Sequence, residues 1–255
     1  TIPKSFLLSL NEYCSKRMRS VQILSRFQRF RGQMLSSLIV MAGYVLSRIT
    51  GLLREIAISA QFGTSANLGA YRAAFKITDL LYMVIIGGAL GSSFIPVFIQ
   101  VWKKDSPQRA WRLASAVVTW AVVLLSIASM VVWLLAPMLT TLFYGGQGFD
   151  TMRLALTADL TRLFLLSPLL LGLGGLAMAA LNAHEHFALP ALAPAIYNIG
   201  IIGGALLLAP SLGVWGLAWG VVAGAVFYLL IQLPGLWRMG MVFRPTLGRD
   251  IGELK

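Results

Sequence analysis

Four cations stand within sequence that is otherwise apolar enough to cross a bilayer: Arg48, Arg54, Arg72 and Lys76. Charge inside an apolar span is expensive, so it faces protein or a water-filled cavity and marks a site for an ion or a charged substrate. A guanidinium presents a planar fork of donors that matches phosphate bidentately. Arg48, Arg54 and Arg72 are therefore candidates for holding a phosphorylated headgroup, with Lys76 as a further point charge. Arg48 and Arg54 are six residues apart, roughly 120° in direction on a helix of 3.6 residues per turn. Both can reach one broad cavity without stacking. Arg72, Lys76 and Asp79 follow at spacings of four and three and share one helical face. Lys76 can pair with Asp79 there, leaving Arg72 free. The blander alternatives are an interfacial Arg48, an Arg54–Glu55 surface pair at a helix end and a solvated helix end at 72–79.

Other residue types offer less. His184-Glu185-His186 has two imidazoles around a carboxylate, but no further ligand lies nearby in sequence, so a polar turn is the better reading than a metal site. Cys14 is the only cysteine, which rules out an intrachain disulfide. No nucleophile–base pair stands out, so neither an enzyme nor a cofactor is expected. Gly51, Gly87 and Gly88 allow bending or close helix approach inside apolar spans. Pro168 removes one backbone hydrogen bond and predicts a kink.

The elements that position these residues follow from composition. Of 255 residues, 58% are hydrophobic and 12% charged, with mean hydropathy +0.78. Soluble domains carry about 25% charged residues, so this is an all-α polytopic membrane protein. The net charge of +12 sits in short segments between apolar spans, as the positive-inside rule distributes it. No nucleic-acid partner is expected.

Six spans are predicted, over about 35–62, 70–100, 113–136, 154–182, 190–209 and 214–236, the third stopping at Pro137. Six spans put both termini on one side. The basic segment 1–33, the loop at 102–112 and the C-terminal residues after Arg238 then all fall in the cytoplasm. Residues 1–33 read as a basic segment on the anionic inner leaflet, residues 34–240 as a six-helix lobe, and 241–255 as a cytoplasmic tail or the start of a linker to a second lobe. Asn198, the polar residue of the fifth span, is expected to bond across to a neighbouring helix.

Ser47-Arg-Ile-Thr-Gly-Leu-Leu-Arg-Glu55, Ala74-Phe-Lys76, Gly88-Ala-Leu-Gly-Ser-Ser-Phe-Ile-Pro96, the run from Leu181 to Pro194, and Leu217-Ala-Trp-Gly220 with Gln232-Leu-Pro234 resemble the MurJ (MviN) family over about 35–245. The resemblance implies one lobe of a two-lobe flippase of the multidrug/oligosaccharidyl-lipid/polysaccharide exporter superfamily. It further implies a substrate such as lipid II, an undecaprenyl diphosphate-linked peptidoglycan precursor, flipped across the bacterial inner membrane by alternating access. Arg48, Arg54 and Lys76 match cations that the family uses toward that substrate. The chain departs from the family pattern at Gly69, Arg72, Tyr82 and Gly87. Two alternatives remain open: a flippase for another lipid-linked polysaccharide repeat unit, and a non-transporting membrane partner of an envelope glycan assembly complex. The expected partners are the lipid-linked glycan, membrane lipids and a second transporter lobe.

Overall fold

A computed structural model describes residues 34–84, 91–104, 106–246 and 248, without the side chains of 91–95 and 103. The basic segment 1–33 and the candidate hinge residues Gly87 and Gly88 lie outside the described residues. The described chain is helical: α1 (Met34–Phe62), α2 (Ala66–Tyr82), α3 (Gly91–Lys104), α4 (Pro107–Tyr144), α5 (Thr151–Phe164), α6 (Leu166–Ala183), α7 (Ala188–Gly203), a π-helical turn (Gly204–Leu208), α8 (Ala209–Leu212), α9 (Val214–Leu230) and α10 (Leu233–Arg238).

Among the described residues, five stretches are long and apolar enough to cross a membrane: Met34–Phe62, Pro107–Tyr144, Thr151–Ala183, Ala188–Leu212 and Val214–Arg238. That is one fewer than the six spans predicted. The expected second span is described as two helices on either side of residues 85–90, and α2 contributes 17 residues and α3 14. Each falls short of the ~20 residues a span needs, and α2 uses three of its positions for Arg72, Lys76 and Asp79.

Two prolines act differently from one another. The chain breaks at Leu165 between α5 and α6, three residues before Pro168. Pro168 has no N–H for the Phe164 carbonyl, and its ring crowds that carbonyl, which accounts for the interruption at Leu165. Pro137, by contrast, does not end its helix, and α4 runs on to Tyr144. The carbonyl that Pro137 leaves without its helical donor is that of Trp133, and Arg162 Nε on α5 donates to it at 3.3 Å. The Arg162 guanidinium also stands 5.0 Å from the Trp133 ring centre and pairs with Asp159 at 2.9 Å. A side chain from the next helix replaces the lost bond, and α4 reaches 38 residues, about 57 Å at 1.5 Å per residue.

Two buried clusters hold the bundle. At one end, Phe98, Trp111, Leu181 and Leu236 join the α3–α4, α6–α7 and α10 regions. Elsewhere, Ile58, Tyr71, Leu160, Phe164, Ile201 and Leu217 join α1, α2, α5, α7 and α9. Tyr71 and Phe164 meet edge to face at 5.4 Å between centroids, fixing α2 on α5. The tightest packing is between α7 with its π turn and α9. A Cβ on Gly220 would lie 2.7 Å from Gly204 Cα, and one on Gly204 2.5 Å from Gly220 Cα. Gly200 and Gly224 stand in equally close backbone contact, and Gly216 abuts Leu208 and Ala209. Small residues every four positions let membrane helices approach until backbones touch.

Candidate functional site

The candidate site lies along α1, where α7 and the end of α6 pack against it. A cavity of about 720 Å³ is lined on α1 by Gly43, Tyr44, Ser47, Arg48, Gly51, Arg54 and Glu55, and closed by Met178 and Asn182 of α6 and Pro190, Pro194 and Asn198 of α7. Closest contact comes at Gly43, where a Cβ would reach 2.5 Å from Ala191 Cβ. The two helices touch there and again at Asn198, and the cavity occupies the space beside them.

Asn198 is the organising polar group. Its amide is 7% exposed, and a buried amide must find partners. Nδ2 donates to the Ser47 carbonyl at 3.3 Å and to Thr50 Oγ1 at 3.3 Å. Thr50 Oγ1 in turn donates to the Leu46 carbonyl at 2.9 Å. Asn198 Oδ1 accepts from Arg54 Nη1 at 3.0 Å. The expected cross-helix bond is thus present, and its partners are α1 and one of the candidate cations.

Arg54 continues the network outward. Its Nη2 meets Glu55 Oε1 at 2.8 Å, and Glu55 Oε2 lies 3.8 Å from Arg72 Nη2 on α2. Arg54 and Glu55 also line a smaller recess of about 120 Å³ with Tyr71, Arg72 and Phe75. Side-chain exposure is 27% for Arg54 against 60% for Arg72. The Arg54 charge is the better shielded from solvent, so its interactions are the stronger of the two.

The structure brings together part of the predicted set. Arg48, Gly51 and Arg54 line the main cavity; Arg72 joins through Glu55. Lys76 is exposed and lines neither recess. The Lys76–Asp79 pair is not among the ion pairs of the described residues, and Arg72, expected free, is the residue that pairs. The Arg54–Glu55 pair is present as well, so Arg54 combines the surface-pair geometry with a place in the cavity wall. Gly51 sits where a Cβ would meet only Asn198 Nδ2 at 3.6 Å, an ordinary contact. Pro168 lies in the first turn of α6, away from the cavity lining. His184 is enclosed by aromatic rings, 4.0 Å from Trp102 and 5.7 Å from Phe98 between centroids, with Nδ1 3.1 Å from the Ala180 carbonyl. Among the described residues no group of three or more His, Cys, Asp or Glu could hold a metal. Three guanidiniums against one carboxylate leave the site net positive, suited to an anionic group.

The family model described as "Lipid II flippase MurJ" matches residues 58–255. This chain belongs to the MurJ family. It is 34% identical over 220 residues to the lipid II flippase MurJ of Burkholderia cenocepacia, covering 83% of this chain and 41% of that protein. To the probable lipid II flippase MurJ of Bdellovibrio bacteriovorus it is 32% identical over 206 residues, covering 79% and 39%. The chain thus spans less than half the length of these curated relatives. A solved MurJ structure in the inward closed conformation superposes with a TM-score of 0.69 at 23% identity, covering 85% of this chain and 45% of that one, which shows that the fold is shared. Arg72 and Lys76 lie within the stretch matched by the MurJ family model, whereas Arg48 and Arg54 precede it.

Proposed function

We propose that this chain forms one wall of a cation-lined passage that moves a lipid-linked diphosphate sugar, such as lipid II, across the bacterial cytoplasmic membrane. The observation that carries this reading is that Arg48 and Arg54 line a single cavity of about 720 Å³, with Asn198 holding Arg54 in place. That volume lies within the ~300–1,000 Å³ of ligand-binding clefts. A diphosphate cannot cross hydrocarbon unaided, and guanidinium forks hold it without forming a bond. The work is binding and movement, not catalysis. Membership of the MurJ family and relatives named lipid II flippase support the substrate class.

Alternating access needs two walls that rock against each other around a fixed site. This chain supplies one helical lobe over 34–240; the second is supplied by sequence corresponding to the part of the relatives that this chain does not cover. Exposed central charges cost ~2.5–3.5 kcal/mol each on insertion scales, so the face bearing Arg48 and Arg54 is covered by that partner in the assembled transporter. The basic residues Arg238 and Arg244 put the end of the lobe on the cytoplasmic side in this reading. In this reading Glu55 holds Arg54 and Arg72 until a phosphate displaces its carboxylate, and Lys76 contributes only long-range attraction.

Equilibrium binding of undecaprenyl diphosphate and of undecaprenol to the full-length protein tests the reading. The diphosphate should bind the wild type far more tightly than the alcohol. Arg48→Ala or Arg54→Ala should remove most of that difference, about 10- to 100-fold for one charge-assisted contact of ~1.5–3 kcal/mol. Equal binding of both lipids to the wild type would refute it.

A further inference from the structure

A second recess stands on the other side of α6 from the cation-lined cavity. An apolar groove of about 400 Å³ is walled by Trp111 and Val118 of α4, Leu173 of α6, Leu236 and Trp237 of α10, and Phe243 beyond it. It adjoins a recess of about 420 Å³ with which it shares Trp111 and Ser115, and that recess carries Arg112 and Arg244. The chain after α10 is tied down along α4: the Arg244 backbone N–H donates to Ser115 Oγ at 3.2 Å and the Thr246 N–H to Thr119 Oγ1 at 3.4 Å. Arg244 is thereby held beside Arg112. Neither guanidinium has an acidic partner or a side-chain hydrogen bond among the described residues.

Trp111 stands at the junction of the two spaces. It is 6% exposed and its indole N–H has no acceptor among the described residues, where buried donors ordinarily find one. The combination of unpaired cations, an unpartnered donor and an adjoining apolar trough has a definite chemical complement. A glycerophospholipid carries, in this order, an anionic phosphate, an ester carbonyl and an acyl chain. Trp102 and Lys104 flank the same end of the bundle, as interfacial aromatic and basic residues do in membrane proteins.

We infer that this surface is a binding site for an anionic glycerophospholipid such as phosphatidylglycerol. Its phosphate sits between Arg112 and Arg244, the Trp111 ring stands where the two recesses meet, and one acyl chain lies in the groove. The bound lipid clamps the chain after α10 against α4. The site is independent of the transported substrate.

Native mass spectrometry of the full-length protein in mild detergent, with added phosphatidylglycerol or phosphatidylcholine of identical chains, tests this. The wild type should retain phosphatidylglycerol over phosphatidylcholine by about thirtyfold, the scale of two basic groups near an anionic headgroup. The double substitution R112Q/R244Q should bring the ratio to parity, while Arg238→Gln, at the same end but outside both recesses, should leave it unchanged. Val118→Trp should fill the groove and expel the lipid with both cations intact. No lipid preference in the wild type, as when the groove is filled by the protein's own chain, would overturn the inference. So would equal losses from Arg238→Gln and R112Q/R244Q, which would mean diffuse attraction, or undiminished binding to the folded Val118→Trp protein.

Discussion

The two flanks of α7 are built on opposite plans. Toward α9 the helix has lost its side chains: Gly200 and Gly204 press against Gly224 and Gly220, backbone on backbone. Toward α1 it meets its neighbour at Gly43–Ala191 and through the amide of Asn198, and the remaining space is a cavity bearing Arg48 and Arg54. About half of the residues of α9 are buried, whereas few of those of α1 are. A close-packed seam has few alternative arrangements, while a helix held by a handful of polar contacts can shift at small cost. The contrast assigns rigidity to the α7–α9 unit and adaptability to α1, the helix that carries the phosphate-binding candidates.

Substitutions can break this contrast in graded fashion. The largest effect is expected at the seam. Gly220→Val places a branched side chain against the Gly204 backbone, which has no rotamer to yield. Overpacking of a core typically destabilises by ~1–3 kcal/mol, and backbone against backbone puts this case at the top of that range. The yield of folded protein by size-exclusion in detergent should collapse. Arg48→Ala comes next: transport should be lost while folded yield stays near wild type, because the side chain lines the cavity and makes no hydrogen bond within the described bundle. Loss of folding instead would give Arg48 a structural role. Asn198→Ala should lower thermal stability by about 1–2 kcal/mol, since cross-helix hydrogen bonds in membranes average ~0.6 kcal/mol and this side chain makes three. It should also weaken substrate binding by releasing Arg54. Arg72→Gln should have a small effect on binding, the 3.8 Å contact to Glu55 being half exposed. Gly51→Ala should be close to neutral in both stability and transport, because the added methyl finds an ordinary contact. A large loss there would show that α1 must bend at Gly51.

The sequence made the class of the molecule legible because apolar length and charge placement are local properties, and it made the cations legible because charge in an apolar span is conspicuous. Arg48 and Arg54 could be placed on one cavity from their spacing. Contacts that join distant helices were not legible. Glu55 reaches Arg72 on another helix, and nothing local distinguishes Arg72 from Lys76, which share a helical face yet meet different surroundings. Asn198 was readable as a bond across helices, though not its partners. Pro137 read as a helix end because the donor that rescues its helix, Arg162, lies 25 residues onward in another element. The α7–α9 seam went unread, although Gly200 and Gly204, and Gly216, Gly220 and Gly224, recur at a spacing of four, which is a signal of close approach.

The central claim is that the cavity cations of α1 carry the substrate's phosphates and Lys76 does not. It is tested most directly by reconstituting the full-length protein in liposomes and measuring translocation of a fluorescent undecaprenyl diphosphate-linked sugar. Wild type and Lys76→Gln should translocate at comparable rates, and R48A/R54A should be inactive at equal protein incorporation. Wild-type rates from R48A/R54A would contradict the account.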